Sequence, residues 1–449
     1  MKIVRRRAST KTSKFKHIFP GVHPARLREL NMVKKTFSAC VVYGALVAMA
    51  IGQTKGAYSE IFGEPESLVD AATAASELEP GAGFLFGALR ISPELTVGYN
   101  HDSNPTYARH GAKAINTIQA RPQVNFLLNG NGWDSFGSVW LTHDWLLGSV
   151  DPLYRDAVTQ SHYGESLGVR WLSPRGSSIS LTESYEYQNR NDIVGSVATN
   201  TSCQDRYSLN LGAQFSTPLG EHTGMNVGAS YAELWYDNPL LYGWQDAGVS
   251  LGFTRKLSEK SDVLLSLGGD NQWSDGSEGE SRSYRVLAGF GTRPSAKTAC
   301  RAEVGVMGYS FNNGENTAAS WTYSLSGNWR ISQRLAANVS GTANFQPSET
   351  DNNNYTLVQL LSAGLTFEAT SRLTTSLNAI ARREAYGKED IVSGEKRIDD
   401  QVGLVGRASY QLRRYTSVYV GADYSKNISS LEECSFNRMV LSSGVNIRF

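Results

Sequence analysis

The 449 residues hold 43 Lys and Arg against 42 Asp and Glu, and a net charge of +1 gives no reason to expect a nucleic-acid partner. A mean hydropathy of −0.33 is too polar for a helical membrane protein, and past the leader no window supplies the ~18 uninterrupted apolar residues of a spanning helix.

The chain first needs trimming. Residues 1–31 carry Arg5, Arg6, Arg7, Lys11 and Lys14 without an apolar period and read as a basic lead-in. A secretory signal then opens at Met32-Val33-Lys34-Lys35, continues through an apolar run from Phe37 to about Val47, and ends on the small residues Ala48 and Ala50. Met32 is the expected start, with a long n-region as the alternative. The apolar run falls short of the ~20 residues of a membrane helix, so 1–50 are expected to be removed and the mature chain exported.

Residues 51–90 are different. Glu64, Glu66, Asp70, Glu77 and Glu79 are spread among Ala71, Ala72, Ala74 and Ala75, and Pro80-Gly81 closes the stretch. It reads as an acidic periplasmic lead, with a plug entering a lumen as the alternative.

From 91 to 449 one pattern repeats. Apolar and polar residues alternate over about ten positions, the period of a strand with one oily face. Tight breaks fall at Asn129–Gly132, Ser173–Gly176, Thr217–Gly220, Ser258–Ser261, Arg293–Ala296, Ser332-Gln333, Thr370-Ser371 and Arg413-Arg414. Longer polar breaks lie between them, near 102–115, 147–160, 189–203, 237–243, 274–281, 312–318, 347–354, 387–397 and 425–436. Tight and loose breaks alternate strictly. The expectation is an all-β chain forming a transmembrane antiparallel up-and-down β-barrel of about 18 strands, 16 being the alternative count, with both termini on the tight-turn side.

The faces can be read within strands. Leu335, Ala337, Val339 and Phe345 share one face while Asn338 and Asn344 share the other; Val402, Leu404, Ala408 and Tyr410 oppose Arg407. Apolar outside and polar inside inverts a soluble barrel. Aromatics gather at the loose ends (Trp145, Tyr187, Trp235, Tyr236, Trp273, Phe345, Tyr386, Tyr424) and at the tight ends (Trp133, Trp171, Trp329, Phe367, Phe449), as two interfacial bands would. A propeller shares the ~40-residue period, but strands of about ten residues suit a bilayer better than a blade.

The last stretch keeps its oily face up to Phe449. Ser442-x-Gly444-Val445-x-Ile447-x-Phe449 resembles the C-terminal signal by which outer-membrane barrels are recognised for insertion, which implies the barrel-assembly machinery as a partner. The first strand ends in Gly98-Tyr99-x-x-Asp102-Ser103-Asn104 and resembles the opening of the putative β-barrel porin family of Gram-negative outer membranes. The resemblance implies an outer-membrane barrel, with little said about cargo.

Inward charges would set selectivity, and Arg170, Glu183, Asp270, Arg382, Arg407 and Arg448 are the candidates. Their alternative role is to hydrate the wall or pair with one another. Oxygen-rich loops at Asp102-Ser103-Asn104, Asp351–Asn354 and Glu432-Glu433 are candidate contacts for calcium or for cations bridging lipopolysaccharide, though none has a calcium-loop spacing. Of the three cysteines beyond the signal, Cys203, Cys300 and Cys434, none forms a Cys-x-x-Cys pair, and no cofactor or metal is expected. No Ser-His arrangement stands out among His101, His110, His143, His162 and His222, so no enzyme is expected. The expected function is a porin-like passive channel for small hydrophilic solutes. An export conduit for a polysaccharide and a scaffold with a filled lumen stay open, as does a homo-oligomer in contact with lipid and lipopolysaccharide.

Overall fold

A computed structural model describes residues 83–104, 109, 113–148, 161–190, 204–236, 243–274, 280–311, 316–346, 355–389 and 394–449. The signal, most of the acidic lead, Cys203 and Asp351–Asn354 lie outside them. A short strand β1 (Phe84–Phe86) precedes the wall strands β2 (Leu89–Asp102), β3 (Ile115–Asn129), β4 (Trp133–Leu147), β5 (Ser161–Leu172), β6 (Ser178–Arg190) and β7 (Gln204–Pro218). The wall continues through β8 (Thr223–Tyr236), β9 (Trp244–Ser258), β10 (Ser261–Ser274), β11 (Glu280–Ser295), β12 (Thr298–Phe311) and β13 (Asn316–Arg330). Last come β14 (Leu335–Gln346), β15 (Thr356–Glu368), β16 (Leu373–Glu389), β17 (Lys396–Arg413), β18 (Thr416–Ser429) and β19 (Phe436–Arg448).

Each wall strand pairs antiparallel with the next, and β19 returns to pair with β2, so β2–β19 form a closed ring of 18 strands. All eight tight reversals and all nine loose connections fall where the turn residues predict them. The strands run to 12–18 residues, longer than expected, because pairing continues past the loose ends. The wall begins at Leu89, just before the expected boundary. β1 folds back on Leu89–Ile91 through Gly87, whose φ of 64° favours glycine. It covers the stretch of β2 edge that β19 does not reach, since β19 begins its pairing at Glu94.

The register ties the faces together around the ring. Val97 pairs with Ala120 and Val445, Val339 with Ala363, Leu404 with Tyr424. On that parity large apolar side chains stand exposed, among them Val249 at 65%, Val304 at 61% and Trp321 at 76%. An apolar belt this extensive is incompatible with water on that side and fits hydrocarbon.

One ladder is incomplete. β13 and β14 pair only from Arg330↔Ala336 to Ser324↔Thr342, although both strands continue upward. Beyond that point the Thr322 hydroxyl donates to the Ala343 carbonyl at 2.6 Å. Ala343 lies on the outward parity yet is 1% exposed, and the Phe345 ring, on the same parity, sits 5.4 Å from that of inward Tyr309. The upper part of β14 therefore laps behind β12 and β13, which turns Phe345 away from the outer aromatic band. Tyr236 and Tyr386 also leave that band, because register places them on the inward parity. The other aromatics of the two bands keep the outward parity.

Val304→Arg places a cation at mid-strand on the outward face and should cost ~2–4 kcal/mol. Ser326→Arg, on the inward face nearby, should cost far less. Urea unfolding of both variants in lipid vesicles checks the contrast; equal losses would contradict the assignment of faces.

Candidate functional site

The inward parity carries the polar chemistry, and its charges come mostly in pairs. Arg170 of β5 reaches Asp134 of β4 at 3.2 Å. Arg382 pairs with Glu384 on β16, and Arg448 lies 3.5 Å from Glu94 across the β19–β2 ladder. The Arg407 guanidinium stacks 4.3 Å above the Tyr419 ring. Asp270 accepts a hydrogen bond from Ser283 at 2.9 Å, and its neighbours on this face include Asp246 and Arg285. Five of the six charge candidates thus sit on the inward parity.

Glu183 does not. It pairs with Leu167 and Leu211, in line with Ile179 and Leu181, and so belongs to the outward parity. Its charge suggested the polar face, but strand alternation decides orientation whatever the residue.

Further inward pairs went unnoticed in the sequence. Arg301 meets Glu303 at 3.0 Å, and the nearly buried Glu303 carboxylate also accepts from Ser266 at 2.7 Å. Arg397 grips Asp399, with both side chains buried and the guanidinium 4.6 Å from the Tyr386 ring. The signal was present: Arg301-x-Glu303, Arg382-x-Glu384 and Arg397-x-Asp399 have the two-residue spacing that places both charges on one face of a strand. At this loose end, above the outer band, burial pushes the Tyr386 phenol above its ordinary range in spite of the opposing Arg397 charge. Burial, the largest single influence, works against the Arg397 charge too, but its hydrogen bonds to Asp399 together with the fields of Tyr386, Asp399 and Cys434 outweigh it and raise the Arg397 pKa.

The two motifs at the ends of the sequence meet. Asn100 pairs with Ser442, Gly98 with Gly444, Val97 with Val445 and Leu95 with Ile447, and the Phe449 amide donates to the Pro93 carbonyl at 3.0 Å. Gly98 and Gly444 face each other because the Tyr419 ring of β18 lies across both: a Cβ at Gly98 would stand 2.6 Å from the Tyr419 hydroxyl, and one at Gly444 2.8 Å from its ring. Tyr99 points outward, where its hydroxyl donates to Asn116 at 2.6 Å.

At the loose end of this seam the Asp102 carboxylate takes three hydrogen bonds from Arg438, at 2.6–3.1 Å, and caps the Asn104 amide at 2.9 Å. Asn104, 2% exposed, donates to the Asn437 carbonyl, and Ser103 accepts from the Met439 amide at 2.8 Å. This corrects the reading of Asp102-Ser103-Asn104 as a cation contact, since the carboxylate is taken up by Arg438. Glu432 pairs with Arg109 at 2.6 Å. Cys434 is buried and Cys300 exposed, and neither forms a disulfide among the described residues.

The family model described as "Putative beta-barrel porin 2" matches residues 270–449. The porin match takes in the terminal strand but not the Gly98–Asn104 motif. Among curated proteins, none matches the chain. Solved structures of similar architecture include the FrpB iron transporter of Neisseria meningitidis (F3-3 variant), with TM-score 0.44 and 9% identity over 80% of this chain and 64% of that one. They also include the siderophore receptor PirA of Pseudomonas aeruginosa, with TM-score 0.41 and 9% identity over 80% of each chain. This chain spans less than two thirds of the FrpB variant, and its fold rests on its own ladder. The chain is an outer-membrane-type β-barrel.

Arg438→Ala leaves the buried Asp102 carboxylate without its main partner and should cost about 2–3 kcal/mol. Asp102→Ala in the same background should cost much less than it does alone, with a coupling within the ~0.5–3 kcal/mol of contacting residues. Urea titration of the refolded barrel measures all three variants, and simple additivity would contradict the clasp.

Proposed function

We propose that the chain is a passive channel for small hydrophilic solutes, selecting weakly by charge. The observation that carries this is the inward parity: polar from strand to strand around a closed wall, with its charges held in pairs. Hydroxyls, amides and ion pairs on such a wall can replace part of a solute's hydration shell without trapping it, as conduction requires. The family's description as a porin supports the same reading. No covalent step is involved.

Pairing also shapes selectivity. A wall of neutralised pairs presents dipoles more than net charge, so selection falls to cations held apart from an acid partner on the same strand, such as Arg407 on Tyr419. In this reading the tight turns and both chain ends face the periplasm and the loose loops face outward, as is usual for such barrels. The terminal strand engages the assembly machinery, and the outer leaflet supplies lipopolysaccharide contacts.

Planar-bilayer recording of the refolded, processed chain tests the proposal. Stable current steps are expected, and Arg407→Glu should shift the reversal potential in a KCl gradient toward that of the cation. Silence at every voltage would overturn the channel in favour of a filled scaffold. Steps abolished only by a particular glycan would favour an export conduit.

A further inference from the structure

The β13–β14 ladder stops at Ser324↔Thr342, yet β13 reaches back to Asn316 and β14 runs on to Gln346. Two edges are left without their ladder in the loose half of the wall, where Trp321 of β13 stands 76% exposed. An open edge is a template for another strand, and a membrane wall tolerates none against lipid. Carried on in the register of Ser324↔Thr342, the ladder would set Tyr323 against Ala343, Thr322 against Asn344, Trp321 against Phe345 and Ser320 against Gln346. Both faces would then be restored, because Ala343 and Phe345 return to the outward parity of Tyr323 and Trp321. The next residue of β14 is Pro347, which has no N–H to give a ladder, so the extension ends there.

In the structure the tip of β14 takes a different position, and that position is also built. The inward residues it crosses on β13 are small, Ala318, Ser320 and Thr322, and the Thr322 hydroxyl holds the Ala343 carbonyl at 2.6 Å. Beyond them the Phe345 ring meets Tyr309 at 5.4 Å and Tyr355 at 5.1 Å, and those two rings lie 5.3 Å apart. Met307, Tyr309 and Phe311, all on the inward parity of β12, are each 5% exposed. An apolar cluster is out of keeping with the polar wall around it, and the tip of β14 packs onto it.

We propose that the tip of β14, residues 343–346, is a gate strand with two positions. Tucked, as in this structure, it lies on the lumen side with Phe345 among the rings of Tyr309 and Tyr355. Zipped, it completes the β13–β14 ladder and carries Phe345 to the outward face beside Trp321. The tucked position holds ring contacts and the zipped one strand hydrogen bonds, so each keeps what the other gives up. In the first the tip narrows the loose-end mouth of the lumen, and in the second it rejoins the wall and widens that mouth. That the movement gates a flux rests on the channel reading above, whereas the two positions do not depend on it.

The test uses the processed full chain with Cys203, Cys300 and Cys434 replaced by Ser, and heat-shifted gel migration confirms that each variant folds. Trp321→Cys/Phe345→Cys should oxidise to a bond within the chain, since residues directly opposite in a ladder lie within disulfide reach. Tyr309→Cys/Phe345→Cys should be bridged by a short thiol-to-thiol reagent, while Trp321→Cys/Val339→Cys, adjacent in neither position, should stay unlinked. Peptide mass spectrometry reads all three. In planar bilayers the parent should switch between two step sizes, the oxidised zipped form should keep only the larger and the bridged tucked form only the smaller. Tyr309→Ala, which removes a ring that Phe345 rests on, should shift occupancy toward the larger step. Failure of either link, or equal steps from the two locked forms, would overturn the gate. Silence from the parent and from both locked forms would overturn the channel and the gate with it, while the links still report whether the tip moves.

Discussion

Hydrocarbon offers no partner to a peptide N–H or C=O, and the whole wall answers to that constraint. A sheet with free edges could not stay in a bilayer, so the first and last strands must find each other across nearly the full sequence. Their meeting is specified in detail. Gly98 and Gly444 leave a slot that the Tyr419 ring fills, and Asp102 and Arg438 fasten the loose end. A slip of β19 by one residue would carry Arg448 to the oily side and Val445 to the polar one. Register, closure and the separation of faces are therefore one physical fact.

Much of this was legible in the residues. Turn chemistry placed every reversal, since a tight hairpin needs particular residues and a loose loop tolerates any polar run. Alternation then supplied the oily face, and the apolar or small residues at every second position from Met439 to Phe449 carried it through the last strand. What escaped was what only neighbouring strands decide. Glu183 lies outward because Leu167 and Leu211 flank it. Phe345 turns inward because the β13–β14 ladder stops at Thr342, and no single-strand pattern announces a missing partner. The Asp102 cluster looked like a loop because the guanidinium that claims it lies 336 residues away.

The inner wall shows how a polar surface can hold many charges without a strong field. Arg301 with Glu303, Arg382 with Glu384 and Arg397 with Asp399 neutralise one another within a strand, while Arg170 with Asp134 and Arg448 with Glu94 do so between strands. Fixed in this way, the side chains line the wall more than they reach across it. The outward face shows the converse, since large apolar side chains dominate it from strand to strand. The same strand alternation thus builds two surfaces for two solvents.

Spin labels placed singly along β13 from Tyr323 to Asn328 test the central claim most directly. Collision with oxygen, which concentrates in hydrocarbon, and with a water-soluble nickel complex should alternate with a period of two. Labels at Tyr323, Leu325 and Gly327 should favour oxygen, and those at Ser324, Ser326 and Asn328 should favour nickel. Uniform accessibility along the strand, or the opposite phase, would contradict a closed wall with lipid outside and water within.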